Sequence, residues 1–418
     1  MQNILFFVYR LYGGGAERVV SNLSLALGDQ YNIRIAIYGD QPKAYPHGGE
    51  LIKINLPFSD DPTTNIWWKR LLRMFVLIYK LRRLKRKYKI DLTISFGEQP
   101  NIINILTRGK RKTILSVRSL LSKELVIYPK MKILNWFIKF WYNKANQIIV
   151  PSQLAAKDLI AHFGIRADKL KVIYNYIDQE KISGLSSEPM DNIFHQELFQ
   201  YPVLLNVGRI TPAKGQWLLL IALKKIKQIH PNFKLVIIGE AEKEGDLRKV
   251  LFGLASELGL KVYDCSREME KSLGYDVFFL GFQVNPFKFM KRSKMFVFPS
   301  VFEGFPNSIL EAMQCGLPVI SADCLSGPRE IMAPESDLQI NIQRPETTEF
   351  GILCPALPNG NPHLPIKEEI LSSWVSAIEM MTNDMSQKNN FIQNGYKRVM
   401  DFDREKILNQ WKEIIESE

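Results

Sequence analysis

The 418-residue chain is 46% hydrophobic and 23% charged, a composition that indicates a globular protein and excludes a disordered or fibrous one. The net charge is +12, but residues 1–200 hold 30 Lys and Arg against 16 Asp and Glu, a balance of +14, and residues 201–418 hold 25 against 27, a balance of −2. The first half is therefore expected to meet an anionic partner. Four cysteines without a CxxC pair and five histidines argue against a zinc site or a disulfide framework, and the lack of an apolar run of membrane length excludes a transmembrane helix.

Short apolar runs alternate with amphipathic stretches from the first residues onward. Buried strands that alternate with helices imply parallel sheets covered on both faces, and two such sets imply an α/β fold with two doubly wound domains. Ligands are then expected beyond the carboxyl ends of the strands, in the cleft between the two facing domains. The predicted strands are 3–9, 33–39, 51–57, 91–97, 113–119, 147–152, 201–209, 233–240, 276–282, 295–300 and 317–323.

The domain boundary is predicted between residues 176 and 200. The stretch DQEKISGLSSEPMDNIFHQ (178–196) is polar, contains Gly, Ser and Pro, and lacks periodicity, as linkers do. We therefore expect Rossmann-like domains over 1–185 and 195–400. A C-terminal helix over 401–418 can cross back to the N-terminal domain.

Three glycines follow the first strand in LYGGGAERVV (11–20). Glycine lets the backbone approach a ligand closely, so Gly14 and Gly15 are candidate ligand-binding residues. The stretch is neither the GxGxxG dinucleotide fingerprint nor a P-loop, and a plain tight turn is an equal alternative.

The stretch WWKRLLRMFVLIYKLRRLKRKYK (67–89) carries ten Lys and Arg and no acid. Apolar and aromatic residues between cations are typical of a helix that lies on an anionic bilayer, and 130–147 offers a second surface of this kind. The alternatives are a helix with one face on the sheet and its cations solvated, or a nucleic-acid surface, for which no motif is present. The predicted membrane residues are Trp67, Trp68, Leu72, Phe75, Tyr79, Arg82, Arg83, Lys85 and Arg86.

The loop NVGRITPAKGQW (206–217) follows the first strand of the second domain and opens a helix. Arg209 and Lys214 are predicted to project into the cleft, where two cations can neutralise a diphosphate. The alternative is a solvated loop that happens to be basic.

The stretch SVFEGFPNSILEAMQCGLPVIS (300–321) combines a strand end, a turn and a helix. We expect Asn307 to cap the helix, so that the amides from Gly304 onward form an anion site at its N-terminus. Glu303 and Glu311 flank this site, and carboxylates accept hydrogen bonds from vicinal hydroxyls, as in a sugar or ribose. The alternative is a capped helix with two incidental acids.

Together these motifs resemble the retaining glycosyltransferases of family 4, which have the GT-B fold, over nearly the whole chain. The likeness rests on Glu303 and Glu311 in EGFPNSILEA (303–312), which follow the GR and KG pairs at 208–209 and 214–215. GGGAER and SGPREI narrow it to bacterial transferases that extend polyprenyl-diphosphate-linked oligosaccharides, such as the N-acetylgalactosamine transferases of protein N-glycosylation. Two segments, 263–276 and 332–350, look longer than the family requires.

The resemblance implies a UDP-sugar donor, no metal and no other cofactor. Arg209 and Lys214 would bind the diphosphate, Glu303 the reacting hexose and Glu311 the ribose, with Glu303, Arg209 and Lys214 as the catalytic set. On the family's scheme, the leaving phosphate accepts the proton of the acceptor, and Glu303 orients and stabilises. The implied donor site is completed by Gly14, Gly15, Phe282, Gly304, Phe305, Pro306, Asn307 and Ser308.

Many relatives carry a histidine where this chain has Arg118, whose guanidinium cannot act as a base. Arg118 would instead contact the sugar or the acceptor diphosphate, and Lys69, Arg70 and Arg73 are further candidates for binding the acceptor. The resulting hypothesis is a hexose or N-acetylhexosamine transferase on the cytoplasmic face of the bacterial plasma membrane. The alternatives are another lipid acceptor or a soluble one, and a non-catalytic membrane-binding module with a relic sugar site.

Overall fold

A computed structural model of the protein describes residues 1–12, 14–39, 45–58, 67–127, 132–241 and 247–417. The chain folds as two compact units. The first comprises Met1–Asn175 with Glu405–Glu418, and the second comprises Tyr176–Arg404.

A parallel sheet of seven strands, counted over the described residues, forms the centre of the first unit in the order β3-β2-β1-β4-β5-β6-β7. The central strands are apolar and buried on both faces, as helix-covered parallel strands must be. The strands are β1 (Asn3–Val8), β2 (Asn32–Ile37), β3 (Glu50–Lys53), β4 (Leu92–Phe96), β5 (Lys112–Ser116), β6 (Gln147–Val150) and β7 (Leu170–Val172). The helices are α1 (Gly15–Leu27), α2 (Trp67–Lys87), α3 (Glu98–Leu106), α4 (Leu121–Ile127), α5 (Lys132–Trp141) and α6 (Gln153–Phe163).

The second unit is built around an eight-stranded sheet within the described ranges, in the order β10-β11-β9-β8-β12-β13-β15-β14. Its pairs are parallel except for β14, which runs antiparallel to β15. The strands are β8 (Val203–Val207), β9 (Lys234–Ile238), β10 (Val262–Asp264), β11 (Val277–Phe279), β12 (Met295–Phe298), β13 (Val319–Ala322), β14 (Glu346–Thr347) and β15 (Ile352–Cys354). The helices are α7 (Gln179–Ser187), α8 (Ile193–Leu198), α9 (Trp217–Ile229), α10 (Leu247–Glu257), α11 (Phe287–Arg292), α12 (Asn307–Gln314), α13 (Pro328–Met332), α14 (Glu368–Asn383) and α15 (Met385–Met400). The last helix, α16 (Arg404–Glu416), belongs to the first unit from Glu405 onward.

All the predicted strands are confirmed, but each ends earlier than the sequence indicated. The residues beyond each end form the loops at the carboxyl edge of the sheet. Gly97, with φ of 90°, and Gly239, with φ of 147°, turn the chain there in backbone conformations that side chains rarely adopt. Four short strands were missed, namely β7, β10, β14 and β15.

Residues 178–196, whose sequence lacks periodicity, contain the two short helices α7 and α8. Asp178 accepts a hydrogen bond from the Lys181 amide and caps α7, while Asn192 caps α8 through the His195 amide. Asn285 also donates to the Leu185 carbonyl over 2.8 Å, so this segment packs against the second unit as part of its fold.

Helix α2 buries one face and exposes another. Leu77, Leu81 and Leu84 are buried in the core of the first unit. Trp68, Leu72, Phe75 and Tyr79 are between 41% and 64% exposed, and the cations Arg82, Arg83 and Arg86 are exposed as well. The Trp67 side chain lies outside the described part of the chain. No helix within the described ranges is both long enough and apolar enough to cross a bilayer.

The prediction of Lys85 as a membrane contact is wrong. Its side chain is fully buried, and its ammonium donates to Asn104 Oδ1 over 2.8 Å and to Thr107 Oγ1 over 3.0 Å. Burial lowers the pKa of Lys85 to about 7. The residue therefore joins α2 to α3 inside the unit.

A buried acid begins α3 directly after β4. Glu98 is 8% exposed and accepts a hydrogen bond from the Tyr142 hydroxyl over 2.6 Å. Burial raises the pKa of Glu98 to about 8, although the hydrogen bond from Tyr142 opposes the rise. The carboxyl group is therefore largely protonated at neutral pH.

Replacing Glu98 by Gln should make stability less dependent on pH. The pKa of this carboxyl is about 8 in the fold against 4.5 ordinarily, so its contribution to stability is complete below the lower value and is lost as the pH rises through the higher one. In that window the native protein should lose up to roughly 1.4 kcal/mol of unfolding free energy per pH unit through this group. Melting temperatures between about pH 5 and about pH 8 should therefore fall less in Glu98→Gln than in the native chain. Equal slopes in the native chain, in Glu98→Gln and in the exposed control Glu413→Gln would contradict the assignment.

Candidate functional site

The loop after β8 is held close to two neighbouring strand ends. A Cβ added to Gly215, whose φ is 65°, would lie 2.2 Å from the Pro299 carbonyl oxygen, and one added to Gly239 would lie 2.0 Å from that of Gly208. Glycine is needed at both positions for this approach. The loop that carries Arg209 and Lys214 is thus pressed against the carboxyl ends of β9 and β12.

The buried amide side chains of Gln216 and Asn206 hold the same loop by hydrogen bonds. Gln216 Nε2 donates to the Arg209 carbonyl over 2.9 Å and to Asn206 Oδ1 over 3.4 Å, and Asn206 Nδ2 donates to the Val297 carbonyl over 2.9 Å. Both side chains are at most 2% exposed. Sequence reasoning missed them, although a polar residue within the apolar runs YPVLLNV and GQWLLL was an available signal.

The second loop leads from β12 into α12. The Val301 amide donates to the Ala213 carbonyl over 2.8 Å, which ties this loop to the first. The prediction that Asn307 caps the helix is wrong, because Pro306 occupies the cap position and Asn307 is the first helical residue. Pro306 has no side-chain donor or acceptor, so the positive end of the helix dipole is not satisfied by a capping side chain.

Lys214 and Glu303 meet where the two loops join. Lys214 Nζ lies 2.5 Å from Glu303 Oε1, and the two side chains are 21% and 12% exposed. The ammonium also lies 5.4 Å from the centre of the Phe298 ring. The two predicted motifs, 89 residues apart in sequence, therefore converge at one place in the second unit.

The other predicted donor residues in the second unit lie around this pair. Arg209 is exposed at the start of the first loop, and Glu311 is 5% exposed on the second turn of α12. Gly304, Phe305 and Pro306 are buried in the turn before the helix, and Phe305 packs on Phe402 with ring centres 5.5 Å apart. Ser308, in the first turn of α12, and Phe282, after β11, are half-buried.

The buried guanidinium of Arg329 binds residues of the segment 332–350, for which the sequence indicated no role. Arg329 is 2% exposed and binds both carboxylate oxygens of Asp323, over 2.9 and 2.6 Å. It also donates to Glu346 over 2.6 Å and to Ser336 over 3.0 Å. The segment is thereby anchored to the end of β13 in the same unit.

The remaining predicted residues belong to the first unit. Gly14 precedes α1 in an extended conformation and Gly15 begins the helix, while Gly13 lies outside the described residues. Arg118 follows β5 and donates to Asn175 Oδ1 and, over 3.4 Å, to Ser116 Oγ. Burial lowers the pKa of Arg118 to about 10, which leaves it charged at neutral pH.

The three other cations proposed for the acceptor lie on the first turns of α2. Lys69 Nζ lies 5.0 Å from the centre of the Phe58 ring and 5.6 Å from that of Trp68, distances at which a ring attracts a cation. Arg73 donates to the Phe58 carbonyl over 3.0 Å, and Arg70 is exposed. This end of α2 is therefore basic and aromatic together.

Two family models match the chain. Residues 13–181 match Glycosyltransferase Family 4, and residues 190–340 match Glycosyl transferases group 1. One match falls within each half of the chain.

Individual proteins resemble the chain over almost its whole length. It is 32% identical to an uncharacterised glycosyltransferase of Methanocaldococcus jannaschii, with 88% of this chain and 89% of that protein covered. It is 29% identical, with 97% of each covered, to the N-acetylgalactosamine-N,N'-diacetylbacillosaminyl-diphospho-undecaprenol 4-alpha-N-acetylgalactosaminyltransferase of Campylobacter jejuni. The crystal structure of Anabaena HepE in complex with UDP and glucose has a TM-score of 0.74 at 20% identity, with both chains covered completely, and shares the fold.

A double-mutant cycle should show that Lys214 and Glu303 are strongly coupled. Both side chains are largely buried. Lys214→Met therefore leaves the Glu303 carboxylate without its cation, and Glu303→Gln leaves the Lys214 ammonium without its anion. Either substitution should lower the free energy of unfolding more in the native chain than in the chain that already carries the other substitution. The interaction free energy in unfolding experiments should be about 1 to 3 kcal/mol.

The pair Lys225 and Glu368 in the same unit is the matched control. Its N–O distance is also 2.5 Å, but the side chains are 39% and 69% exposed. Solvent screening should keep its coupling below about 1 kcal/mol. Equal coupling for the two pairs would show that the Lys214–Glu303 pair is an ordinary surface contact.

Proposed function

Because the chain belongs to the glycosyltransferases of family 4 and group 1, we propose that it is a retaining enzyme with a UDP-sugar donor and a polyprenyl-diphosphate-linked glycan acceptor. The sugar transferred is a hexose or an N-acetylhexosamine, and no metal ion takes part. The observation that carries this proposal is the contact between Lys214 and Glu303 beside the N-terminus of α12.

The leaving group is a nucleoside diphosphate, whose charge grows as its bond to the sugar breaks. Lys214 and Arg209 supply two cations, and the amides at the start of α12 supply hydrogen-bond donors and the positive end of a dipole. Such preorganised groups stabilise developing charge most effectively where water is scarce. Here the ammonium is only 21% exposed.

The two glutamates have different environments and hence different roles. Glu303 accepts hydrogen bonds from the hydroxyls of the transferred sugar, and its contact with Lys214 links sugar and diphosphate recognition. Glu311, one turn into α12 and buried, accepts from the ribose hydroxyls. Neither glutamate attacks the sugar.

Retention follows from substitution on one face of the sugar. The bond from the anomeric carbon to the donor phosphate oxygen breaks, and the acceptor oxygen bonds to the same face. The acceptor proton passes to the departing phosphate, whose oxygen takes the electron pair. The protein then needs to hold charges in place and needs no strong base.

The donor and the acceptor are supported by the relatives and by charge. The Anabaena structure holds UDP and glucose, and the name of the Campylobacter enzyme describes transfer of N-acetylgalactosamine to a diphospho-undecaprenol glycan. The first unit contains most of the excess positive charge, and Arg118, Lys69, Arg70 and Arg73 are its candidates for binding an acceptor diphosphate.

Helix α2 is proposed to rest on the anionic inner leaflet of the bacterial plasma membrane, so that the protein is peripheral and cytoplasmic. Trp68, Leu72, Phe75 and Tyr79 lie three or four residues apart and form one exposed stripe. Arg82, Arg83 and Arg86 prolong the stripe with positive charge. On α5, Trp136 and Phe140 are 62% and 59% exposed and add a second aromatic contact in the same unit.

The chain should form product from a UDP-sugar and a polyprenyl-diphosphate glycan, with the anomeric configuration of the donor kept. A panel of UDP- and GDP-sugars, with products analysed by mass spectrometry and NMR, tests this directly. Glu311→Gln should weaken donor binding about tenfold, because a charged acceptor of ribose hydrogen bonds is lost. The exposed control Glu257→Gln should bind as the native chain does. No product from any donor would refute the proposed reaction.

Replacing Arg82, Arg83 and Arg86 by Ser should release the protein from anionic vesicles. Each cation near such a surface contributes about 1 kcal/mol, so the partition coefficient should fall about 100-fold or more. Replacing the exposed Lys224, Lys249 and Lys261 of the second unit by Ser removes the same charge and should leave binding unchanged. Equal losses in the two triple variants in a flotation assay would contradict the role of α2.

A further inference from the structure

The loop that follows β13 contains two consecutive residues in the left-handed region. Ser326 has φ of 72° and Gly327 has φ of 96°. This conformation is free of strain for glycine and unfavourable for serine. Ser326 is also fully buried, so its side chain is part of the interior of the second unit.

This loop packs along the turn that precedes α12. Phe302 and Leu325 form a bridge, the Glu303 amide donates to the Leu325 carbonyl over 3.3 Å, and Ser326 Oγ donates to the Gly304 carbonyl over 2.8 Å. A Cβ on Gly327 would lie 2.3 Å from Pro306 Cδ. Phe302, Glu303, Gly304 and Pro306 thus all lie against residues 325–327.

The hydrogen bond from Ser326 sets the direction of one peptide group. The bond between Gly304 and Phe305 is trans, as are all peptide bonds in the described part of the chain. In a trans peptide the carbonyl and the following amide point in opposite directions. With its carbonyl held by Ser326, this peptide must direct the Phe305 amide away from the 325–327 loop.

We propose that Ser326 is a positioning residue for the donor diphosphate. It acts through the turn, holding the Gly304–Phe305 peptide between Glu303 and the first amides of α12 in one orientation. The inference rests on the proposed function, and it adds a residue that touches the turn and not the substrate. Strain at a buried serine is consistent with such a role, because backbone strain is retained at functional sites when the surrounding structure enforces it.

Two variants separate positioning from simple stabilisation. Ser326→Ala removes the hydrogen bond and keeps the strain, so it should lower the melting temperature. Ser326→Gly removes the hydrogen bond and also relieves the strain, so its melting temperature should stay nearer the native value. If Ser326 only stabilised the fold, donor binding would follow the melting temperature and be nearly native in Ser326→Gly.

Isothermal titration with UDP and with uridine provides the decisive readout. In both variants UDP affinity should fall about tenfold, as expected for one hydrogen bond, while uridine affinity is unchanged because uridine has no phosphate. The control Ser373→Ala removes a similarly buried hydroxyl, which donates to the Glu369 carbonyl over 2.7 Å in α14, and should bind UDP normally.

Native UDP affinity in Ser326→Gly would overturn the inference and leave the proposed function intact. Equal losses of UDP and uridine affinity would also overturn it, since they indicate general damage. Failure of the native chain itself to bind UDP would overturn the proposed function and this inference with it.

Discussion

The candidate site depends on one contact, between the ammonium of Lys214 and the carboxylate of Glu303. Each comes from the loop after a central strand of the second sheet, β8 or β12, and these strands are neighbours. Parallel strands bring their carboxyl ends to one edge, so residues far apart in sequence can share a site. A cation, an acid and a helix N-terminus together form a place that favours an anion bearing hydroxyl groups.

Close backbone packing makes this contact possible. Gly215 lies against the Pro299 carbonyl and Gly239 against that of Gly208, so any side chain at either position would push the loops apart. The buried side chains of Asn206 and Gln216 donate hydrogen bonds to the backbone carbonyls of Val297 and Arg209. The site is therefore supported by a polar layer between the loops and the hydrophobic core.

The longer strands could be predicted because their apolar composition is a local property of the sequence, whereas the short strands β7, β10, β14 and β15 could not. The two loops that carry Arg209, Lys214 and Glu303 could be predicted as well. The prediction that Lys85 contacts the membrane is wrong because it relied on the charge of the residue and not on its position around the helix. It lies four residues after Leu81 and next to Leu84, on the buried face, where Asn104 and Thr107 accept its hydrogen bonds. The capping residues Asp178 and Asn192 were likewise readable signals of short helices in the supposed linker. The contact of Ser326 with Gly304 was not readable, because it depends on the three-dimensional approach of two loops.

A crystal structure of the protein with UDP bound would show directly whether the diphosphate occupies this site. We predict that the diphosphate lies within about 3 Å of Lys214 Nζ and of backbone amides at the start of α12, with the ribose hydroxyls hydrogen-bonded to Glu311. A diphosphate bound far from Lys214 and Glu303, with their contact unchanged, would refute the proposed site.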